Sequence, residues 1–233
     1  MAIPTRVQAA SGVDTTFASS VTATFSSPNS TGNIILLAWE GDSATATNKA
    51  NTPTDTAGNT YRRLTSAINS GSFDLEIWVA YNIKAQTSNA VTVTDTLGGA
   101  DGTLIIEEWS GVNFVTSLDG SNSNTGNLSP LTSGNVTTLR PNDLLWVAGA
   151  EAVGANDLTA QSGYTNFTQT STTFSNIGVC SQAVSAVGTY NGGFTSLVGV
   201  SWVCSMVALI AQDNNKSLGA RLRPRPFSPG LAR

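Results

Sequence analysis

Short runs of apolar and β-branched residues recur along this chain, each bounded by Gly, Asn, Asp, Ser or Pro, and no stretch keeps a helical period. The runs at 21–25, 34–40, 60–64, 75–81, 91–94, 104–109, 135–139, 144–150, 178–187 and 198–210 read as strands. In the fourth of them Leu75, Ile77, Val79 and Tyr81 share one face, while Asp74 and Glu76 share the other. Turn clusters such as Thr56-Ala57-Gly58-Asn59 separate neighbours at hairpin distances. About eight to ten short strands without crossover helices predict an all-β fold, an antiparallel β-sandwich or jelly roll.

The last hairpin can be read in more detail. Tyr190-Asn191-Gly192-Gly193 is a turn signal, because consecutive positive-φ positions favour Asn and Gly. A hairpin centred on Gly192 sets Cys180 opposite Cys204 and Gln182 opposite Trp202. Even positions from Val198 to Ile210 are all apolar, so that face is assigned to the core and the two thiols meet inside. They form either a pair of buried reduced thiols or a cross-strand disulfide.

Composition narrows the chemistry. The chain of 233 residues has no His and two Cys, which removes His-based nucleophile systems, His-ligated metals and a four-thiolate zinc site. Charged residues make up 11%, whereas Thr, Ser and Asn fill about a third of the chain. Hydroxyls and amides thus carry solubility, as on extracellular-facing β proteins. Residues 1–12 nevertheless lack a basic stretch followed by an apolar one, so no signal peptide is expected, and no apolar run is long enough for a membrane helix. A virion protein made in a host cytoplasm and released by lysis would fit both facts, and so would non-classical export.

The net charge of −4 is unevenly spread. Residues 1–215 carry −9, and residues 216–233 carry +5 with no acid and with three prolines, Pro224, Pro226 and Pro229. The expected organisation is an extended N-terminal segment (1–20), a sandwich domain (21–213) and a basic Pro-rich arm (214–233). Arg221, Arg223, Arg225 and Arg233, with Phe227 and Leu231 as apolar anchors, are the candidate partner-binding residues of that arm. Nucleic acid is not expected as a partner, since the acidic body would repel phosphate.

No catalytic signature emerges. Asp74 and Glu76 lie on one strand face, roughly 7 Å apart, which is glycosidase spacing; Glu107 and Glu108 point to opposite faces. All four are read as acids on solvated faces. Asp55-Thr56 and Asp95-Thr96 lack the Gly that an aspartic protease needs. Residues 119–126, DGSNSNTG, offer alternating oxygens but too few carboxylates for a calcium loop, and read as a polar loop. Of the five Trp, Trp78 and Trp109 have acidic neighbours and are the candidate exposed platforms for a glycan. No cofactor and no metal is expected, and the chain is not read as an enzyme.

The blocks NIILLAWEGD (33–42), TDTAGNTYRRL (54–64), LEIWVAYNI (75–83), LIIEEWSGVN (104–113), SLDG (117–120), SGNVTTLRPNDLLWVAGA (133–150) and GVSWVCSMVALIA (199–211) resemble a family of jelly-roll modules. That family is common among bacteriophage structural genes and occurs in some bacterial surface proteins. The resemblance implies a non-enzymatic virion component, such as a head decoration or fibre protein, and carries over no catalytic residue. The expectation is a capsid decoration protein, homo-oligomeric and bound to other virion proteins through its arm. The alternatives are a carbohydrate-binding fibre or surface module and a subunit of an extracellular filament.

Overall fold

Runs such as 34–40 and 144–150 carry apolar residues on both faces, which suits strands covered from both sides. The structure, a computed structural model, gives each of them that place and describes residues 3–16, 18–42, 50–69, 73–96, 102–115 and 117–213. The described residues form sixteen strands and no helix. The first eight are β1 (Thr5–Asp14), β2 (Ser20–Thr24), β3 (Ile34–Asp42), β4 (Thr54–Asp55), β5 (Tyr61–Asn69), β6 (Phe73–Ala80), β7 (Ala90–Thr94) and β8 (Gly102–Ser110). The second eight are β9 (Leu118–Gly126), β10 (Leu131–Thr137), β11 (Asp143–Glu151), β12 (Thr159–Ala160), β13 (Thr165–Ser171), β14 (Asn176–Val184), β15 (Thr189–Thr195) and β16 (Trp202–Ile210).

All pairings are antiparallel. The first set makes a large sheet, β1-β8-β3-β6-β5, and a small one, β2-β7-β4. The second set makes β9-β16-β11-β14-β13 and β10-β15-β12, the same orders with every number raised by eight. Neighbours 1–8, 3–6 and 2–7 are jelly-roll pairings, with the fifth strand carried beside the sixth in the large sheet. The chain is therefore a tandem of two eight-stranded units, where one sandwich was expected.

The two large sheets pack face to face. Leu36, Ala38, Leu75, Ile77 and Ile105 of the first unit share one core with Leu144, Trp146, Ile177, Val179, Val203 and Val207 of the second. Contacts across this interface are reciprocal: β1 meets β13 and β5 meets β9; β8 meets β14 and β6 meets β16. Such exchange of positions is what a two-fold axis between like units produces. The outer face of each large sheet carries a second core under its small sheet, around Trp39, Trp78 and Val91 in one unit and Val147, Phe194 and Met206 in the other. Four sheets are thus stacked, and the central strands of the middle two, such as β8, β11 and β16, have no solvated face.

This layering corrects several expectations. Residues 5–14 are not an extension but the edge strand β1, paired with β8. Residues 119–126 are not a loop but lie in β9, paired with β16. The Asn191-Gly192-Gly193 segment is not a turn but the middle of β15. Its glycines answer to crowding: a Cβ on Gly193 would lie 1.9 Å from the Leu131 carbonyl oxygen, and one on Gly192 would lie 2.5 Å from Val147 Cγ2. Gly193→Ala must displace backbone in the β10–β15 ladder, so a loss of about 2–3 kcal/mol is expected, measurable as a lower urea midpoint; an unchanged midpoint would contradict the packing.

Candidate functional site

Strand β8 carries Glu107 and Glu108 side by side, and both are fully buried. A bulge between Arg6 and Gln8 in β1 lets these two donors, which a regular strand would aim the same way, serve opposite faces. On the inner face, Arg6 donates to Glu107 Oε1 at 2.8 Å. Glu107 Oε2 accepts the indole N–H of Trp109 at 2.9 Å and that of Trp146, from the second unit, at 2.7 Å. Arg6 also donates to the Asn166 carbonyl at 2.7 Å and to Thr168 Oγ1 at 3.0 Å, both in β13. Burial pushes the Glu107 carboxyl up, and the bonds from Arg6 and the two indoles oppose that. This knot ties the two units together through polar groups inside an apolar interface.

On the outer face, Glu108 accepts from Gln8 Nε2 (2.7 Å), Asn29 Nδ2 (2.7 Å), Ser30 N–H (2.9 Å) and Asn33 Nδ2 (2.6 Å). It thereby fixes the β2–β3 loop. Glu76 takes the Ala50 N–H at 2.9 Å, the Trp78 indole N–H at 2.9 Å and Arg63 at 3.3 Å. Glu40 accepts from Thr103 Oγ1 at 2.9 Å and, across the unit interface, from Ser175 Oγ at 2.7 Å. The acids expected on solvated faces, Asp74, Glu76, Glu107 and Glu108, are all buried, because each face of a middle sheet is covered by another sheet. The opposite orientation of Glu107 and Glu108 holds.

The candidate glycan platforms are corrected in the same way. Trp78 is 7% exposed and Trp109 is 1% exposed, so neither offers a ring face to a sugar. Trp78 is further covered by the Arg63 guanidinium, 5.5 Å from its ring centroid. A signal for both existed in the sequence: Glu76-Ile77-Trp78 and Glu107-Glu108-Trp109 each place an acid and an indole two apart on one strand face, where the indole donates to the acid.

Cys180 and Cys204 are both free and buried. They do not face each other. Cys180 pairs with Val147 and Cys204 with Gly149, so β11 runs between them. Two strand spacings and a two-residue offset along β11 separate their Cα atoms by roughly 12 Å, beyond what a disulfide spans. Burial pushes both thiols well above their usual range, which makes them inert core residues. The arm residues Arg221, Arg223, Arg225, Phe227, Leu231 and Arg233 lie outside the described residues.

The two ends of β11 hold the other notable acids. Asp143 is fully buried against Asp119, whose Oδ2 accepts the backbone N–H groups of Leu139 (2.5 Å) and Arg140 (3.1 Å). Burial and then Asp119 push the Asp143 carboxyl up to about 7, against a smaller pull from Arg140. At the far end Glu151, also fully buried, abuts Asp157; burial and this second acid push it up to about 7. Sequence reading passed over both pairs, since Asp119 and Asp143, or Glu151 and Asp157, come together only through the β9–β16–β11 and β11–β12 geometry.

Among the described residues no group of three or more His, Cys, Asp or Glu side chains is placed to hold a metal. An open groove of about 520 Å³ lies over the β10-β15-β12 sheet, with Thr132, Gln161, Ser162, Asn191 and Thr195 among its lining. Comparison with known protein families, characterised proteins and solved structures gives no match for this chain. The class defined by the fold is an all-β protein of antiparallel sheets packed as sandwiches.

Proposed function

We propose that this chain is a non-enzymatic structural protein of a bacteriophage virion, a capsid decoration or auxiliary head subunit whose basic arm docks on neighbouring virion proteins or on copies of itself. The observation that carries the reading is where the charge sits. Nine acidic residues are buried among the described ones, namely Asp14, Glu40, Asp74, Glu76, Asp95, Glu107, Glu108, Asp143 and Glu151. The outer surface is therefore poorer still in charge than the composition suggests, and is made of hydroxyls and amides. A surface of that kind suits permanent display to solvent. An arm of +5 finds little acid on such a body and is better matched by a neighbour. Many weak arm contacts on a symmetric lattice add up to firm attachment.

Deletion of residues 216–233 tests this. The truncated chain should keep its melting temperature and lose most of its occupancy on purified particles, measured by quantitative gel or mass spectrometry. Full occupancy without the arm, or absence of the intact protein from particles, overturns the proposal. A carbohydrate-binding role would now have to use the β10-β15-β12 groove, since the tryptophans are inside.

A further inference from the structure

The connection after β11 gathers oxygens that the interior knots do not use. Glu151 closes β11, Asp157 follows six residues later, and Asn176 opens β14 as the register partner of Glu151. Asn176 Nδ2 lies 3.1 Å from Glu151 Oε1 and 3.5 Å from Asp157 Oδ1, and it also touches the Ala155 carbonyl oxygen. An amide nitrogen has two hydrogens, so three acceptors converge where two can be served. At the same time Asn176 Oδ1 and Glu151 Oε2 are buried without a hydrogen-bond partner, although both residues are fully inaccessible to solvent. The other oxygen of Asp157, Oδ2, is already held by Ser196 Oγ (3.3 Å) and Leu197 N–H (3.1 Å), which leaves Oδ1 aimed at the centre.

We infer that this cluster is a calcium site, with Glu151, Asp157, the Ala155 carbonyl and Asn176 Oδ1 as ligands and water in the remaining positions. Turning the Asn176 amide over puts Oδ1 where Nδ2 now sits. Four oxygens then surround one point, which is stable only with a cation between them. An all-oxygen donor set selects a hard cation. Ligands drawn from a loop, a strand end and a backbone carbonyl suit the six to eight flexible positions of calcium better than the strict octahedron of magnesium. Bound calcium would pin residues 152–158 to the start of β14. The inference is independent of the virion reading.

The test uses the full chain, stripped with chelator, at a pH of about 7.5. Calcium chloride should raise the melting temperature saturably by roughly 5 °C, with a midpoint between about 10 μM and 1 mM. Magnesium and sodium chlorides at matched ionic strength should do little. Trp202 is the register partner of Glu151 on β16, so terbium bound there should luminesce on indole excitation and be displaced by calcium. Glu151→Gln and Asp157→Asn should each abolish both responses. Without calcium, Glu151→Gln should melt no lower than the parent, because it removes one of two abutting acids; its lost response then cannot be misfolding. No calcium-specific rise up to about 10 mM, or a rise that survives in both variants, overturns the inference.

Discussion

Replacing Glu107 with alanine is expected to lower the melting temperature by roughly 6–20 °C, from a loss of about 3–5 kcal/mol. The carboxylate is the common acceptor of three donors from three strands: Arg6 on β1, Trp109 on β8 and Trp146 on β11. Truncation leaves both indole N–H groups unpaired in the interface between the units. The Arg6 guanidinium keeps only the Asn166 carbonyl and Thr168 Oγ1. Glutamine should recover little, because every partner of Glu107 is a donor and an amide must turn its own N–H₂ toward either Arg6 or the indoles. Trp146→Phe, which removes one donor and keeps the ring, should cost much less than Glu107→Ala. The two units share one core, so calorimetry should show a single transition displaced to lower temperature. A displacement within about 2 °C would mean that the knot fixes geometry without contributing stability.

How far such a site could be read in advance depends on which force set each residue. The middle strands β3, β6, β8, β11 and β16 were legible because burial demands Ile, Leu, Val, Ala and Trp there. The edge strands β1, β9 and β13 were not. Their residues, as in LDGSNSNTG of β9, are held by ladder hydrogen bonds and half face water, so no apolar rhythm is required of them. Strand β15 hid behind Gly192 and Gly193, whose missing side chains answer to crowding against Val147 and Leu131 while reading as a turn. The tandem arrangement was invisible for a further reason. The two units share strand order but not residues: GTLIIEEWS in β8 corresponds to WVCSMVALI in β16. Topology constrains where side chains must be apolar, and many sequences meet that constraint.

Misplacement of the acids follows from the same cause. Alternation in 75–81 was read as one dry face and one wet face, which is right for a two-layer sandwich. In four layers the second face is dry as well, so Glu76 must find Arg63, Trp78 and the Ala50 N–H. Glu40, Glu76, Glu107 and Glu108 then act as staples between sheets or loops. Their orientation relative to neighbouring positions was readable; their solvation was not, because that depends on how many sheets stack.

One buried acid converts this arrangement into a pH dependence with a definite sign. The folded chain raises Asp143 from 3.8 to about 7, through burial first and then the adjoining Asp119. Between those values the folded state keeps a proton that the unfolded chain has released, so folding is favoured by acid over that range. The contribution is complete below the unfolded value and is lost as pH rises through about 7. Arg140 opposes the shift and keeps it from being larger. Asp143→Asn removes the titration while leaving an amide N–H to donate to Asp119. The parent and the variant should therefore differ least at the acid end of the range, near pH 5, where the unfolded chain has only begun to gain from releasing its proton. Near pH 8 the variant should be the more stable, by on the order of 3 kcal/mol. The urea midpoint of each protein, followed from pH 5 to pH 8 in steps at constant ionic strength, separates this group from every other carboxylate in the chain. Two curves that stay parallel across that range would show that Asp143 ionises in the folded state as freely as in the unfolded one, and that the Asp119–Asp143 contact holds no proton.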